Sequence, residues 1–467
     1  MIQLYWKNAT SRVVGADNGL TQEDIEQVTP AIEAAHASVV DKCRSGQLGY
    51  SRLPARTDYR DQVLAMVDKH KADTTDLVVL GIGGSALGNI ALQSALNPAT
   101  WNLLSDRKRG GPRLFVLDNV DPALVNDTLK LLGRRLKTTL VNVISKSGET
   151  AETASQFMIF REAMRKKLGD DFAKRIVATT DAAKGTLHEI AKADGYDMLE
   201  VPGDVGGRFS VLSPVGLFSA AMCDINIDQL LAGAAEMKAR LEGDGDWQNN
   251  PACVLAAINY TMMTAKGKPM HVMMPYSNRL YLLADWYRQL WAESLGKAHD
   301  RAGNEVFVGP TPIKALGTTD QHSQVQLYRE GPNDKFTVFL EVTRQPAEVR
   351  VPDVFGQYGG LGYLRKAKLG KLLNAEKQAT EYAMAVSQRP SATIRFETID
   401  PQSVGQFIYL YEFTTSLMGE LLNIDAYDQP AVELGKKATF ALMGRDGYAD
   451  MAAEMKKHAR IDRKFLV

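Results

Sequence analysis

The chain has 467 residues, 45% of them hydrophobic and 24% charged, the composition of an ordinary globular protein with room for about two to four domains. Lys plus Arg and Asp plus Glu number 55 each, so the formal net charge is zero and no global field draws the chain to nucleic acid or to an acidic membrane. The three cysteines, Cys43, Cys223 and Cys253, lie far apart and in no CxxC spacing, which argues against a disulfide framework or zinc ribbon and for a reducing compartment.

The stretch Met1–Gly19 is polar and mixed, without a basic-then-apolar leader, and no run reaches the ~20 apolar residues of a membrane helix. A cytoplasmic protein is expected. Residues 1–75 read as a helical N-terminal segment, with a helix over 21–45 that Thr21 caps and Glu23 and Asp24 support in the first turn. From residue 76 onward short apolar runs alternate with helical patterns. Leu77–Leu80, Leu114–Leu117, Leu140–Ile144 and Ile176–Thr179 predict buried strands; Leu87–Leu96 and Ala151–Leu168 predict helices. This alternation predicts an α/β fold, a mainly parallel sheet with helices on both faces.

Val211–Glu242 reads as mostly helical, and Gly243–Pro251 as a boundary loop. A second alternating region follows, with strands at His271–Met274 and Phe336–Val342 and helices at Asn278–Leu295 and Asp320–Leu327. The expected organisation is two αβα sandwiches, 76–250 and 251–440, with a helical tail over 441–467. The active-site crevice is expected between them, because ligands in open α/β sheets collect at the carboxyl ends of strands.

Two strand-to-helix loops could hold a phosphate. In Gly81-Ile-Gly-Gly-Ser-Ala-Leu-Gly88 the glycines allow close backbone approach and a helix start offers free N–H groups. The loop also fits G-x-G-x-x-A, but the acid expected about 20 residues on, to hold a dinucleotide ribose, falls near Asp106 in a basic loop, and Asp118 comes late. A plain tight turn is the simplest alternative. The second loop is Val143-Ile-Ser-Lys-Ser-Gly-Glu-Thr150, where Ser145, Ser147 and Thr150 offer hydroxyls, Lys146 a point charge and Gly148 bare backbone. A helix cap explains one or two of those hydroxyls but not all.

Four further places carry chemistry. Arg208 follows Gly206-Gly207, placed to meet an oxyanion, and Ser213-Pro214 reads as the start of a helix. In the 278–295 helix, Leu282, Trp286, Gln289, Leu290 and Glu293 form one stripe, so two polar groups share an apolar face. Burial raises a carboxyl pKa, which makes Glu293 a candidate general base, while a structural ion pair is the competing account. Gly296 and Lys297 read as its C-cap. His322 is expected in the first turn of a helix, where the dipole favours neutral imidazole. Gln429 lies in a turn ahead of a short helix, with Lys436 near that helix's end; for an isolated helix-end lysine, simple exposure is the default.

Taken together these segments resemble the glucose-6-phosphate isomerase family. Gly206–Gly216 and Asp425–Lys436 are similar to its two signatures, and Gly81–Gly88, Ser145–Thr153, Ala292–Lys297 and Gly317–His322 match further family blocks in order, over about residues 76 to 440. The resemblance implies two sugar-isomerase domains, usually in a homodimer. It implies Glu293 as the base that moves a proton through a cis-enediol, Arg208 as enediolate stabiliser, and His322 and Lys436 in ring opening. Ser145, Lys146, Ser147 and Thr150 would hold the phosphate, and Gly84, Ser85, Gln289 and Gln429 line the sugar site. In the dimeric family the histidine matching His322 comes from the partner chain. Neither metal nor cofactor is implied. Glu149 departs from the pattern, Thr in many bacterial relatives, and a carboxylate there should turn away from a dianion. Side activity on mannose 6-phosphate and a non-catalytic sugar-phosphate-binding module stay open as alternatives.

Overall fold

The computed structural model describes residues 1–243, 245–458 and 461–467, so that Asp244 of the expected boundary loop and two residues of the tail lie outside it. The strands, in chain order, are β1 (Gln3–Tyr5), β2 (Asp76–Leu80), β3 (Arg113–Leu117), β4 (Thr139–Ile144), β5 (Ile176–Thr180), β6 (Asp197–Glu200), β7 (Met270–Pro275), β8 (Lys297–His299), β9 (Glu305–Val308), β10 (Thr311–Lys314), β11 (Lys335–Val342) and β12 (Ser391–Phe396).

Two five-stranded sheets form. The first runs β3-β2-β4-β5-β6 and is parallel throughout. Every residue of β2, β4 and β5 is buried, as expected for continuous apolar strands covered on both faces. Asp76, wholly buried at the start of β2, is held by Arg113 Nε at 2.5 Å and Arg135 Nε at 2.9 Å. The second sheet runs β1-β12-β11-β7-β10 and is parallel except at one edge, where β1 pairs antiparallel with β12, Gln3 opposite Arg395. The segment expected to be helical therefore also supplies a strand to the far sheet. Ile2 is buried beside it and donates its N–H to Gln406 Oε1 at 2.8 Å. β8 and β9 make a separate antiparallel hairpin.

The helices Gln22–Arg44, Leu87–Leu96 and Ala151–Leu168 occupy the expected places, and Thr21 closes a full capping box with Asp24. Val211–Glu242 resolves into two helices, Pro214–Met222 and Ile227–Leu241, the first capped by Ser213 as expected. The Pro401–Leu421 helix is buried almost continuously from Val404 to Gly419. It lies close against Ile227–Leu241 at a glycine contact: a Cβ on Gly405 would stand 2.0 Å from Leu230 O, and one on Gly233 2.0 Å from Gln402 O.

Two expectations near the C-terminal half change. The Asp320–Leu327 helix is instead a 3-10 turn, Thr319–His322, followed by a short α-helix, Val325–Glu330, because Ser323 leaves helical geometry at φ −137°. His322 thus ends a tight turn rather than opening an α-helix, and the dipole argument for its neutrality falls away. Lys436 lies in the middle of the Ala431–Leu442 helix, not near its end.

Candidate active site

Six sequence-selected residues converge: Gly84, Ser85, Arg208, Gln289, Glu293 and Gln429. The Tyr281–Leu295 helix buries Leu283, Trp286, Leu290 and Trp291, which leaves Gln289 and Glu293 at the edge of that face. The Glu293 side chain is 22% exposed, so burial is partial, and its Oε1 stands 3.5 Å from Arg208 Nη1. Gln289 Nε2 donates to Glu293 Oε2 at 3.0 Å, while Gln289 Oε1 is buried without a partner among the described residues, an acceptor free for a hydroxyl. The carboxylate is held by one cation and one amide rather than sealed in apolar surroundings.

Arg208 is the hub. Its side chain is 1% exposed. Nε donates to Ser294 Oγ at 2.7 Å, Nη1 to Gln429 Oε1 at 2.6 Å, and Nη2 to the carbonyls of Ala426 at 2.7 Å and Asp428 at 3.0 Å. Burial pulls its pKa down, and the charges of Glu293, Asp428 and Asp425 oppose that pull. Guanidinium stays protonated in proteins, so the group is a fixed cation. The first glycine loop abuts it: a Cβ on Gly84 would lie 2.2 Å from Gly207 O, and one on Gly83, whose φ is +57°, 2.9 Å from Gln289 Nε2. Only bare backbone fits there. Ser85 closes the same 3-10 turn, Gly83–Ser85. Asp106, weighed for a dinucleotide ribose, sits in a separate 3-10 turn and pairs with Arg109, away from any strand end.

A second group surrounds the start of the Ala151–Leu168 helix. Thr150 occupies the N-cap position without a side-chain capping bond, so its hydroxyl is not consumed by the helix. Lys146, Ser147 and Thr150 line an open cavity of about 440 Å³ with Asp181, Lys184 and Gly185. Ser145 is buried and accepts from the N–H of Gly148 at 3.0 Å, which shapes the turn. Lys146 Nζ donates to Gly203 O at 2.7 Å and so ties this loop to the segment that carries Arg208. Glu149 faces outward, accepting from Thr186 Oγ1 at 3.4 Å and Arg445 Nη2 at 3.0 Å, the orientation that repulsion from an anion requires.

His322 and Lys436 do not join either group. His322 is exposed. Lys436 is half-exposed and pairs with Glu433 at 2.7 Å. Sequence reasoning also missed contributors. Ser294 follows Glu293 directly and carries no periodic signal of its own. Lys184 comes from a loop 38 residues beyond Lys146 in the chain. The carbonyls of Ala426 and Asp428 have no side-chain signature at all. Among the described residues no group of three or more His, Cys, Asp or Glu is arranged to hold a metal ion, and no helix is long and apolar enough to cross a membrane.

The family model for phosphoglucose isomerase matches residues 64–454. The chain is similar to the glucose-6-phosphate isomerase of Carboxydothermus hydrogenoformans, 46% identical over 442 residues and 94% of each chain. It is also similar to that of Rubrobacter xylanophilus, 42% identical over 92% of this chain and 96% of the other. Among solved structures it resembles a hypothetical protein from Thermus thermophilus, with TM-score 0.83, 34% identity, and coverage of 95% of this chain and 100% of that one. A glucose-6-phosphate isomerase from Chlamydia trachomatis shares the fold, with TM-score 0.80 at 21% identity over 95% and 91% of the two chains. With the matched model spanning most of its length and relatives of 46% and 42% identity covering nearly all of it, the chain belongs to the phosphoglucose isomerase family.

Proposed function

We propose that this chain interconverts glucose 6-phosphate and fructose 6-phosphate by moving a proton between carbons 1 and 2 of the open-chain sugar. The observation that carries the reading is the Glu293–Arg208 pair at 3.5 Å, a carboxylate beside a buried, permanently charged guanidinium. Glu293 takes the proton from carbon 2; the electron pair left behind forms the carbon 1–carbon 2 double bond, and charge develops on oxygen 1. Arg208 is rigidly aimed and stabilises that charge without reorganising. The oxygen 2 hydroxyl proton passes to oxygen 1, and as Glu293 returns its proton to carbon 1 the carbon 1–carbon 2 double bond collapses into the carbonyl at carbon 2. Gly84, Ser85, Gln289 and Gln429 line the sugar, with Gln289 Oε1 as a ready acceptor. Ser145, Lys146, Ser147 and Thr150 hold the phosphate. A coupled assay of purified protein with fructose 6-phosphate tests the reading, with mannose 6-phosphate formation followed in parallel. No glucose 6-phosphate would overturn it.

Ring opening falls to His322 and Lys436, and the reading places both in a homodimer. Apolar side chains support this, because they are left uncovered near each: Leu327 is 54% exposed beyond His322, and Leu434 is 68% exposed on the Lys436 helix. In a symmetric dimer His322 enters the partner's site. Mixing Glu293→Gln chains with His322→Ala chains, with subunit exchange, should then restore roughly a quarter of wild-type activity, since each mixed dimer holds one intact site. Activity that stays at the average of the two mutants would place both residues in one chain's site. The cytoplasm is the proposed compartment, in keeping with three buried, unpaired thiols.

A further inference from the structure

Lys297 is almost wholly buried, with its side chain 5% exposed, immediately after the C-cap of the helix that carries Glu293. Its ammonium donates to Glu293 O at 3.0 Å and to Asp428 O at 3.0 Å, and lies 3.3 Å from Asp428 Oδ1. Two of the ammonium's three donors go to these carbonyls, and the third has the half-exposed Asp428 carboxylate as an ion-pair partner. Asp428 O also accepts from Arg208 Nη2, so two buried cations share one carbonyl, and the next residue, Gln429, receives Arg208 Nη1. Lys297 thereby joins the backbone of the base to the loop that frames Arg208.

A helix cap alone requires only the first of these bonds. The bond to the Asp428 carbonyl and the ion pair to its carboxylate reach a segment 131 residues away and serve no helix end. Placing a cation there also has a cost: burial pulls the Lys297 pKa down, and Asp428 is the chief opposing charge. We propose that Lys297 is a positioning residue, which sets the Glu293 carboxylate relative to Arg208 and Gln429 without touching the sugar. The proposal rests on Glu293 being the base.

Lys297→Met keeps the stem and removes the charge. The expected result is a fall in kcat of about 10–100-fold, the loss typical when a supporting partner of a functional group is removed. KM and the inhibition constant of inorganic phosphate should stay within about twofold, because the phosphate loop sits at the end of the other sheet. Lys297→Arg, which retains a cation, should recover part of the loss. A kcat within about threefold of the parent for Lys297→Met would overturn the proposal. So would parallel loss of kcat, phosphate inhibition and thermal stability, the signature of a structural strut. Should Lys297→Met fail to fold, Lys297→Arg carries the reading: kcat lowered with phosphate inhibition retained supports it, and both retained overturns it. Glu293→Gln assayed beside them separates the two ideas, since full activity there removes the base assignment itself.

Discussion

Glu293→Gln should lower kcat by about 10²–10⁴-fold, or more where no other group takes the proton, because the amide keeps the shape and cannot accept it. KM should move little. The pair to Arg208 is lost, but Arg208 retains its four bonds to Ser294, Gln429, Ala426 and Asp428, so the frame persists. Inorganic phosphate should still inhibit whatever turnover is left. Ser147→Ala with Thr150→Ala should do the reverse and weaken phosphate inhibition and sugar-phosphate binding together. Near-normal turnover by Glu293→Gln in a steady-state assay would remove the carboxylate from the reaction.

The second large effect is expected at Arg208. Lysine there keeps the charge and loses the fork, and a single ammonium cannot satisfy Ser294, Gln429 and two carbonyls that lie in different directions. Loss of an aimed oxyanion donor costs about 10²–10³-fold in kcat. Unlike Glu293→Gln, this change should also lower the melting temperature, since buried acceptors are left without a donor. The two variants are told apart by thermal unfolding. A lysine variant with unchanged kcat would show that Arg208 is a structural hub and no more.

The strands most legible in the sequence were the apolar runs, most of them buried on both faces, although the edge strand β3 also showed. β2, β4 and β5 read as continuous apolar runs because parallel packing demands it. β12 escaped that reading although five of its six residues are buried, because Ser391 and Thr393 interrupt the pattern, and Thr393 bonds Glu381 at 2.8 Å instead of meeting solvent. β10 is a short edge strand holding Pro312, and β1 has three residues, too few for a period to show. The same division holds at the site. The two strand-to-helix loops were visible because turn chemistry is local. The Arg208–Gln429 bond joins residues 221 apart, and only the family resemblance brought them together. Lys297 looked like a cap, since one of its bonds is local while its other bond and its ion pair are not. For His322 the signal was misleading: a polar lead-in resembles a helix start whether the chain enters an α-helix or stops at a 3-10 turn.

The antiparallel edge of the second sheet sets an order on how the chain assembles as it is made. Gln3 waits for Arg395, and Ile2 for Gln406. At roughly 5–20 residues per second, about 20–80 s of synthesis separate the first strand from its neighbour. The first sheet has all its strands once residue 200 has left the ribosome, and it can close in that interval. β1 cannot. The earliest-made strand described is therefore among the last to dock, and with only three residues it offers little length for a wrong partner to pair with meanwhile.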